Sequence, residues 1–205
     1  MIILGIDPGT ATTGWGIIQI TDSPPAGSPR EAGKVGRGRQ KANKTKKGSP
    51  LTANCLLNLV GFGCILTVPE NSMGERLLIL SHSLKKIIKE HNPDCVVIEK
   101  LFFGSNSTSA ISVGQARGVV MLAASEKKLP IFEYTGLEAK LSVAGHGRAD
   151  KNTVQKAVRR HLKVHKLPKP KDQTGRDVFR FRDDAYDAVA AAICHVLKSD
   201  VRLRS

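Results

Sequence analysis

Four carboxylates stand at positions where folding would gather them. Two apolar runs each end on an acid: Ile2-Ile3-Leu4-Gly5-Ile6 delivers Asp7, and Cys95-Val96-Val97-Ile98 delivers Glu99. Short apolar runs bounded by turn residues suit strands buried on both faces, and Pro8-Gly9 closes the first. Asp184 and Asp187 enter an apolar helix three residues apart, which sets both on one face. If that helix packs beside the strand ends, the four acids converge. Crowded carboxylates repel and shift upward in pKa, and divalent cations relieve the repulsion. An oxygen-only, loosely acidic cluster suits Mg2+ or Mn2+ rather than Zn2+. Two such ions activate a water and stabilise a leaving 3′ oxygen, the requirements of phosphodiester hydrolysis.

Each acid also has a plainer explanation. Taken alone, the turn Gly5-Ile6-Asp7-Pro8-Gly9-Thr10 divides evenly between an Asp that starts a turn and one that serves a site. Asp183 and Asp184 complement a helix dipole in a first turn; Asp187 is less well explained that way. No P-loop is present, and no Ser, His and acid arrangement competes as a nucleophilic triad.

The charge balance narrows the partners. Lys and Arg number 32 against 18 Asp and Glu, a formal charge of +14 over 205 residues. Such an excess suits a polyanion, most simply nucleic acid held through its phosphates. A membrane surface is the other polyanion, but no apolar run is long enough to span one. Neither a basic leader nor a cleavage site precedes the first strand, so no secretory signal is expected. Cys55, Cys64, Cys95 and Cys194 lack paired spacing and read as reduced thiols of a cytoplasmic protein.

The elements that must position the acids follow in order. Thr13–Ile20 reads as a second strand, forming a hairpin with the first, and Trp15, the one Trp, is expected to pack rather than stack on a base. Residues 22–50 hold four Pro, five Gly, eight Lys or Arg and two acids, with a net charge of +6 (eight minus two). Such a segment builds no core and is expected as a disordered or loosely held insertion. It is either solvated spacer or a phosphate-gripping tether. Gly61–Val68 is a third strand. Met73, Leu77, Leu80, Leu84, Ile87 and Ile88 fall at helical spacing, capped by Ser72 with Glu75 three residues on, and Pro93 stops that helix. His82 and His91 are expected on its surface. A helix over 107–127 turns Val113, Val120, Met121 and Ala124 to one side, and Gly114 and Gly118 allow another element close. Residues 130–134 read as a short buried strand, 138–143 as a helix, and 151–162 as a helix with Val154, Ala157, Val158 and Leu162 inward. Residues 163–182, net +5 (seven minus two), are expected as a basic loop before the last helix.

In joint order and spacing, these segments resemble the RuvC family of bacterial Holliday junction resolvases, over most of residues 1–20 and 56–199. The resemblance rests on Ile3 to Thr10, Gly61 to Ile65, Arg76-Leu77, Ile98-Glu99 with Phe102, Gly114-Gln115-Ala116-Arg117-Gly118, Phe132-Glu133-Tyr134, Lys140, Gly145 with Gly147, Lys151, and Asp184-Ala185-Tyr186-Asp187-Ala188. It implies an α/β, ribonuclease H-like three-layer fold: a five-stranded mixed sheet flanked by helices in a single domain over 1–199, with a short tail at 200–205. It implies Asp7, Glu99, Asp184 and Asp187 as a catalytic set holding two Mg2+, with Mn2+ as a substitute. It implies DNA contacts from Phe102, stacking on a base near the crossover, from Lys140 and Lys151 on phosphates, and from Arg117. Asp183 matches no family position and reads as a cap. The family further implies four-way junction DNA as substrate, paired symmetric nicking in recombination and repair, a homodimer with the 107–127 helix as candidate interface, and branch-migration partners RuvA and RuvB. The insertion at 22–50 and the length of 163–182 depart from its pattern.

Two other classes share parts of this signature. Actin and sugar-kinase ATPases open with a similar Gly-x-Asp-x-Gly-Thr turn, but need a second nucleotide-binding half for which the chain has no room. A junction-binding module without catalysis would use the basic segments, but four clustered acids oppose DNA unless metal occupies them.

Overall fold

The computed structural model describes residues 1–22, 55–100, 107–178 and 182–199. Its sheet takes β1 (Ile2–Asp7), β2 (Thr12–Asp22), β3 (Cys55–Leu66), β4 (Cys95–Lys100) and β5 (Ile131–Thr135) in the order β3-β2-β1-β4-β5. β1, β2 and β3 form an antiparallel meander, while β4 and β5 run parallel to β1. The helices are α1 (Met73–His91), α2 (Ser107–Glu126), α3 (Gly136–Ala144), α4 (Lys151–His161) and α5 (Arg182–Lys198). This is the expected α/β, three-layer arrangement.

Strand alternation sorts the core into two halves. Leu4, Ile6, Ile17, Ile65, Val96 and Ile98 pack beneath α1 and α2. Ile3, Ile18, Cys64, Cys95 and Val97 pack beneath α3, α4 and α5. β1 and β4 are covered on both faces, which explains their unbroken apolar runs.

Helix ends follow the local chemistry. Ser72 and Glu75 cap α1 reciprocally, and Thr135 with Glu138 does the same for α3. Asp150 caps α4 by accepting from the Thr153 amide at 2.7 Å.

Several expectations change. β2 and β3 are longer than the apolar pattern suggests and pair out to Asp22 opposite Cys55. Val60 bulges out of β3, because Ile17 pairs with Gly61 and Ile18 with Leu59. β5 is not buried: all five residues are half-exposed, since an edge strand has a neighbour on one side only. In α2 the inward residues are Ala116, Val120, Ala123 and Ala124, with Val113 only half-buried. Among the described residues nothing lies within 4 Å of a Cβ placed at Gly114 or Gly118. His91 is half-buried against Trp15, with ring centroids 6.0 Å apart, while His82 is exposed. None of the four cysteines is in a disulfide. Most of the insertion, Phe102 and the tail 200–205 lie outside the described residues.

Candidate active site

β1 and β4 run parallel with Ile3 opposite Cys95 and Ile6 opposite Ile98, so Asp7 and Glu99 are the next residues on neighbouring strands. Ile3, Cys95 and Val97 face α5, and side chains alternate along a strand. Asp7 and Glu99 therefore turn to the same face, the one that α5 covers.

Glycines let α5 come down onto that face. A Cβ at Gly5 would strike the Ala188 carbonyl and lie 3.0 Å from the Ala192 Cβ. One at Gly14 would strike the Asp184 carbonyl, and one at Gly16 the Val189 side chain. Gly14 pairs with Asp7 across the β1–β2 ladder, so Asp184 is seated beside Asp7, and Asp187 follows one turn on. Gly136, the first residue of α3, makes room for the fourth group: a Cβ there would lie 2.5 Å from Glu99 Oε1. A glycine inside a strand pattern signals such close approach. Gly14 and Gly136 were not singled out from the sequence, although for Gly14 that signal was available.

The turn after β1 is braced. Thr13 Oγ1 donates to the Gly9 carbonyl at 2.6 Å and accepts from the Gly9 amide at 3.3 Å. Thr67 Oγ1 donates to the Thr10 carbonyl at 2.5 Å and accepts from Arg76 Nε at 2.8 Å. Arg76 thereby supports the Asp7 turn from α1.

The electrostatics match four converging acids. Burial pushes Asp7 well above the usual carboxylate range, and Glu99, Asp187 and Asp184 push it further. Glu99 is pushed up to about 7 by burial and by Asp187, with Lys140 pulling it back. Asp187 is pushed up to about 6 by burial, against the pull of Lys140 and with added push from Asp184 and Asp183. Asp184 is also raised by burial, against Lys151. Buried Cys64 lies close enough that, after burial, Asp184 is the next cause lifting its thiol to about 12.

Lys140 on α3 and Lys151 on α4 are thus both brought to the acids. Lys151 Nζ lies 3.0 Å from Asp183 Oδ2, and Gln155 Nε2 donates to Asp183 Oδ1 at 2.8 Å. Asp183 is therefore not a cap: α5 begins at Arg182, and Asp183 ties the start of α5 to α4. Arg117 is not brought to the acids. It holds Glu133 on β5 through Nε at 3.0 Å and through Nη2. Glu133 pairs with Ile98, which faces α1 and α2, so this ion pair sits on the opposite face of the sheet.

Among the described residues, no three His, Cys, Asp or Glu side chains are close enough to cage one ion unaided. Mg2+ is ordinarily held by one or two carboxylates, with waters and substrate phosphates completing the shell. Four half-buried carboxylates that raise one another in pKa, with no sulfur or imidazole among them, fit that mode of binding.

The chain is similar to several known proteins. The sequence model of a family described as "Crossover junction endodeoxyribonuclease RuvC" matches residues 51–195. A relative of that name from Desulfitobacterium hafniense (strain DSM 10664 / DCB-2) is 43% identical over 195 residues, covering 95% of this chain and 92% of its own. The structure of Thermus thermophilus RuvC superposes with a TM-score of 0.69 at 25% identity, covering 99% of this chain and 96% of that one. The same protein in complex with a Holliday junction substrate gives 0.68 at 25% identity, covering 96% and 93%.

Proposed function

The chain belongs to the RuvC family of crossover junction endodeoxyribonucleases, and from that premise we propose that it resolves four-way DNA junctions by paired, symmetric nicking during recombination and repair. The observation that carries the reading is the seating of Asp184 and Asp187 beside Asp7 and Glu99 on a chain of charge +14. A relative solved on a Holliday junction supports the substrate.

Asp7, Glu99, Asp184 and Asp187 would hold Mg2+, two ions per site, with Mn2+ as a substitute. Bound there, the ions supply an activated water and charge stabilisation at the leaving 3′ oxygen. The chain's own residues do the rest. β1 and β4 hold the backbones of Asp7 and Glu99 side by side at neighbouring strand ends. Lys140 faces Glu99 and Asp187 and favours their charged forms. Lys140 and Lys151 contact phosphates of the scissile strand, and Phe102 stacks on a base near the crossover.

A junction is cut on two strands, so two sites related by a two-fold axis suit it. We assign the homodimer contact to α2, where Ile111 and Leu122 are 66% and 59% exposed and Gly114 and Gly118 face open space. The enzyme works in the cytoplasm with a RuvA and RuvB branch-migration complex. Among the described residues no helix is long and apolar enough to cross a membrane.

The deciding experiment incubates a labelled four-way junction with the protein and Mg2+. Paired nicks are expected from the wild type, and binding without nicks from Asp7→Asn. No nicking by the wild type, or nicking by Asp7→Asn at the wild-type rate, overturns the reading.

A further inference from the structure

Residues 163–178, expected as a basic loop, form a built strap on the open edge of the sheet. Leu167, Pro170 and Val178 are buried, whereas Lys163, Lys166, Lys169, Lys171 and Arg176 are all exposed. The Cys64 amide donates to the Lys171 carbonyl at 2.9 Å. Gln173 takes both polar groups of Leu66, accepting from its amide at 2.9 Å and donating to its carbonyl at 2.7 Å. The strap also closes on itself: the Asp172 amide donates to the Arg176 carbonyl at 2.9 Å, and the Val178 amide to the Pro170 carbonyl at 2.8 Å.

The cations do not hold this structure together. Asp172 is occupied by the turn, accepting from the Thr174 amide and hydroxyl and from the Arg176 amide at 2.7–3.0 Å. Asp177 is paired with Lys169 at 3.3 Å. Among the described residues, Lys163, Lys166, Lys171 and Arg176 enter no ion pair. Backbone bonds and apolar anchors fix the strap; Lys163, Lys166 and Lys171 project from it outside any ion pair among the described residues, and Arg176 projects near Asp172, whose carboxyl it helps to lower.

Its position gives those charges a use. Lys171 binds beside Gly63 and Cys64; Cys64 pairs with Gly14, and Gly14 with Asp7. The strap is three strand spacings from Asp7, roughly 14 Å. That matches about four nucleotides along a DNA strand, where phosphates recur every ~3.4 Å of helix axis. It also leads directly into α5, which carries Asp184 and Asp187.

We propose that the strap is an accessory phosphate-binding site, gripping the backbone of the DNA arm about four nucleotides from the bond that is cut. The inference rests on the nuclease reading above. Its contact is with phosphates and carries no base preference.

The test uses the full chain with Asp7→Asn, so that binding is read without cutting, and compares it with the same protein carrying K166Q, K171Q and R176Q. These changes leave every backbone bond of the strap in place, and a thermal melt checks folding. Each phosphate contact contributes about 0.9 to the slope of log affinity against log salt. The triple variant is therefore expected to show a slope shallower by about two to three. Neutral methylphosphonates placed about four nucleotides from the cut should weaken binding by the parent and leave the triple variant unchanged. If the triple variant does not fold, K171Q and R176Q are read singly, each with a slope change of about one. Equal slopes and an equal methylphosphonate penalty overturn the strap proposal. A parent that binds no four-way junction overturns the nuclease reading, and the strap proposal with it.

Discussion

Asp7 and Glu99 are each one residue past Ile6 and Ile98, the last paired rung of the parallel β1–β4 ladder, and both face α5. Two acids at adjacent strand ends beneath a helix that adds two more form an arrangement that costs stability until a cation or protons compensate it. The predictions below follow from that cost.

Asp7→Asn removes a carboxylate that burial and its acidic neighbours Glu99, Asp187 and Asp184 push well above its usual range. Nicking should fall by at least about 10²-fold, the scale for losing one charge-stabilising element of a catalytic site. Metal-free protein should at the same time melt higher, since a repelled and buried charge is gone. Melting curves in chelator and nicking rates in Mg2+ read the two effects; a variant that is both less stable and inactive would point to loss of fold instead.

Glu99 and Asp187 are raised from 4.5 to about 7 and from 3.8 to about 6. Between those limits the folded chain binds more protons than the unfolded one, so stability falls as pH rises from about 4 to about 7. Of the groups shifted the other way, Glu138 at about 2 acts below that window, while His161, lowered by its burial, offsets part of the fall within it. In chelator the melting temperature should drop from pH 5 to pH 8. Mg2+ should restore it at pH 8 and do little at pH 5, and the Mg2+ needed for half-maximal nicking should rise as pH falls below 7. Equal Mg2+ effects on melting at both values would contradict this.

Gly14→Ala and Gly136→Ala should separate. At Gly14 the new Cβ meets the Asp184 backbone, which cannot swing away, so a loss of about 1–3 kcal/mol is expected in denaturant unfolding, as for overpacking. At Gly136 it meets only the movable end of Glu99, at a helix position where Ala is preferred. Stability should hold while nicking and Mg2+ dependence suffer.

Deleting residues 24–49 removes eight Lys and Arg. The β2–β3 ladder ends at Asp22 and Cys55, and Asp22 is eight residues along β2 from Gly14. That is about 26 Å of strand. Folding and nicking of bound junction should survive, while junction affinity at low salt should weaken. A lower melting temperature with unchanged affinity would contradict the tether reading.

Local chemistry was legible in the sequence. The strand-end acids, the three-residue spacing of Asp184 and Asp187, the Ser72 capping box and the inward face of α4 depend on neighbours in the chain, and the structure reproduces each as an element or a spacing. Long-range pairing decided the rest. An apolar pattern does not say which strand is the edge, so β5 read as buried. Asp183 looked like a cap because its partners, Lys151 and Gln155, are 32 and 28 residues away. The basic loop became a strap only because Gln173 meets Leu66 across 107 residues. By itself the sequence determined which groups could do the chemistry. The tertiary structure decided where they meet, because the glycines that seat α5 and free Glu99 act on residues remote in the chain.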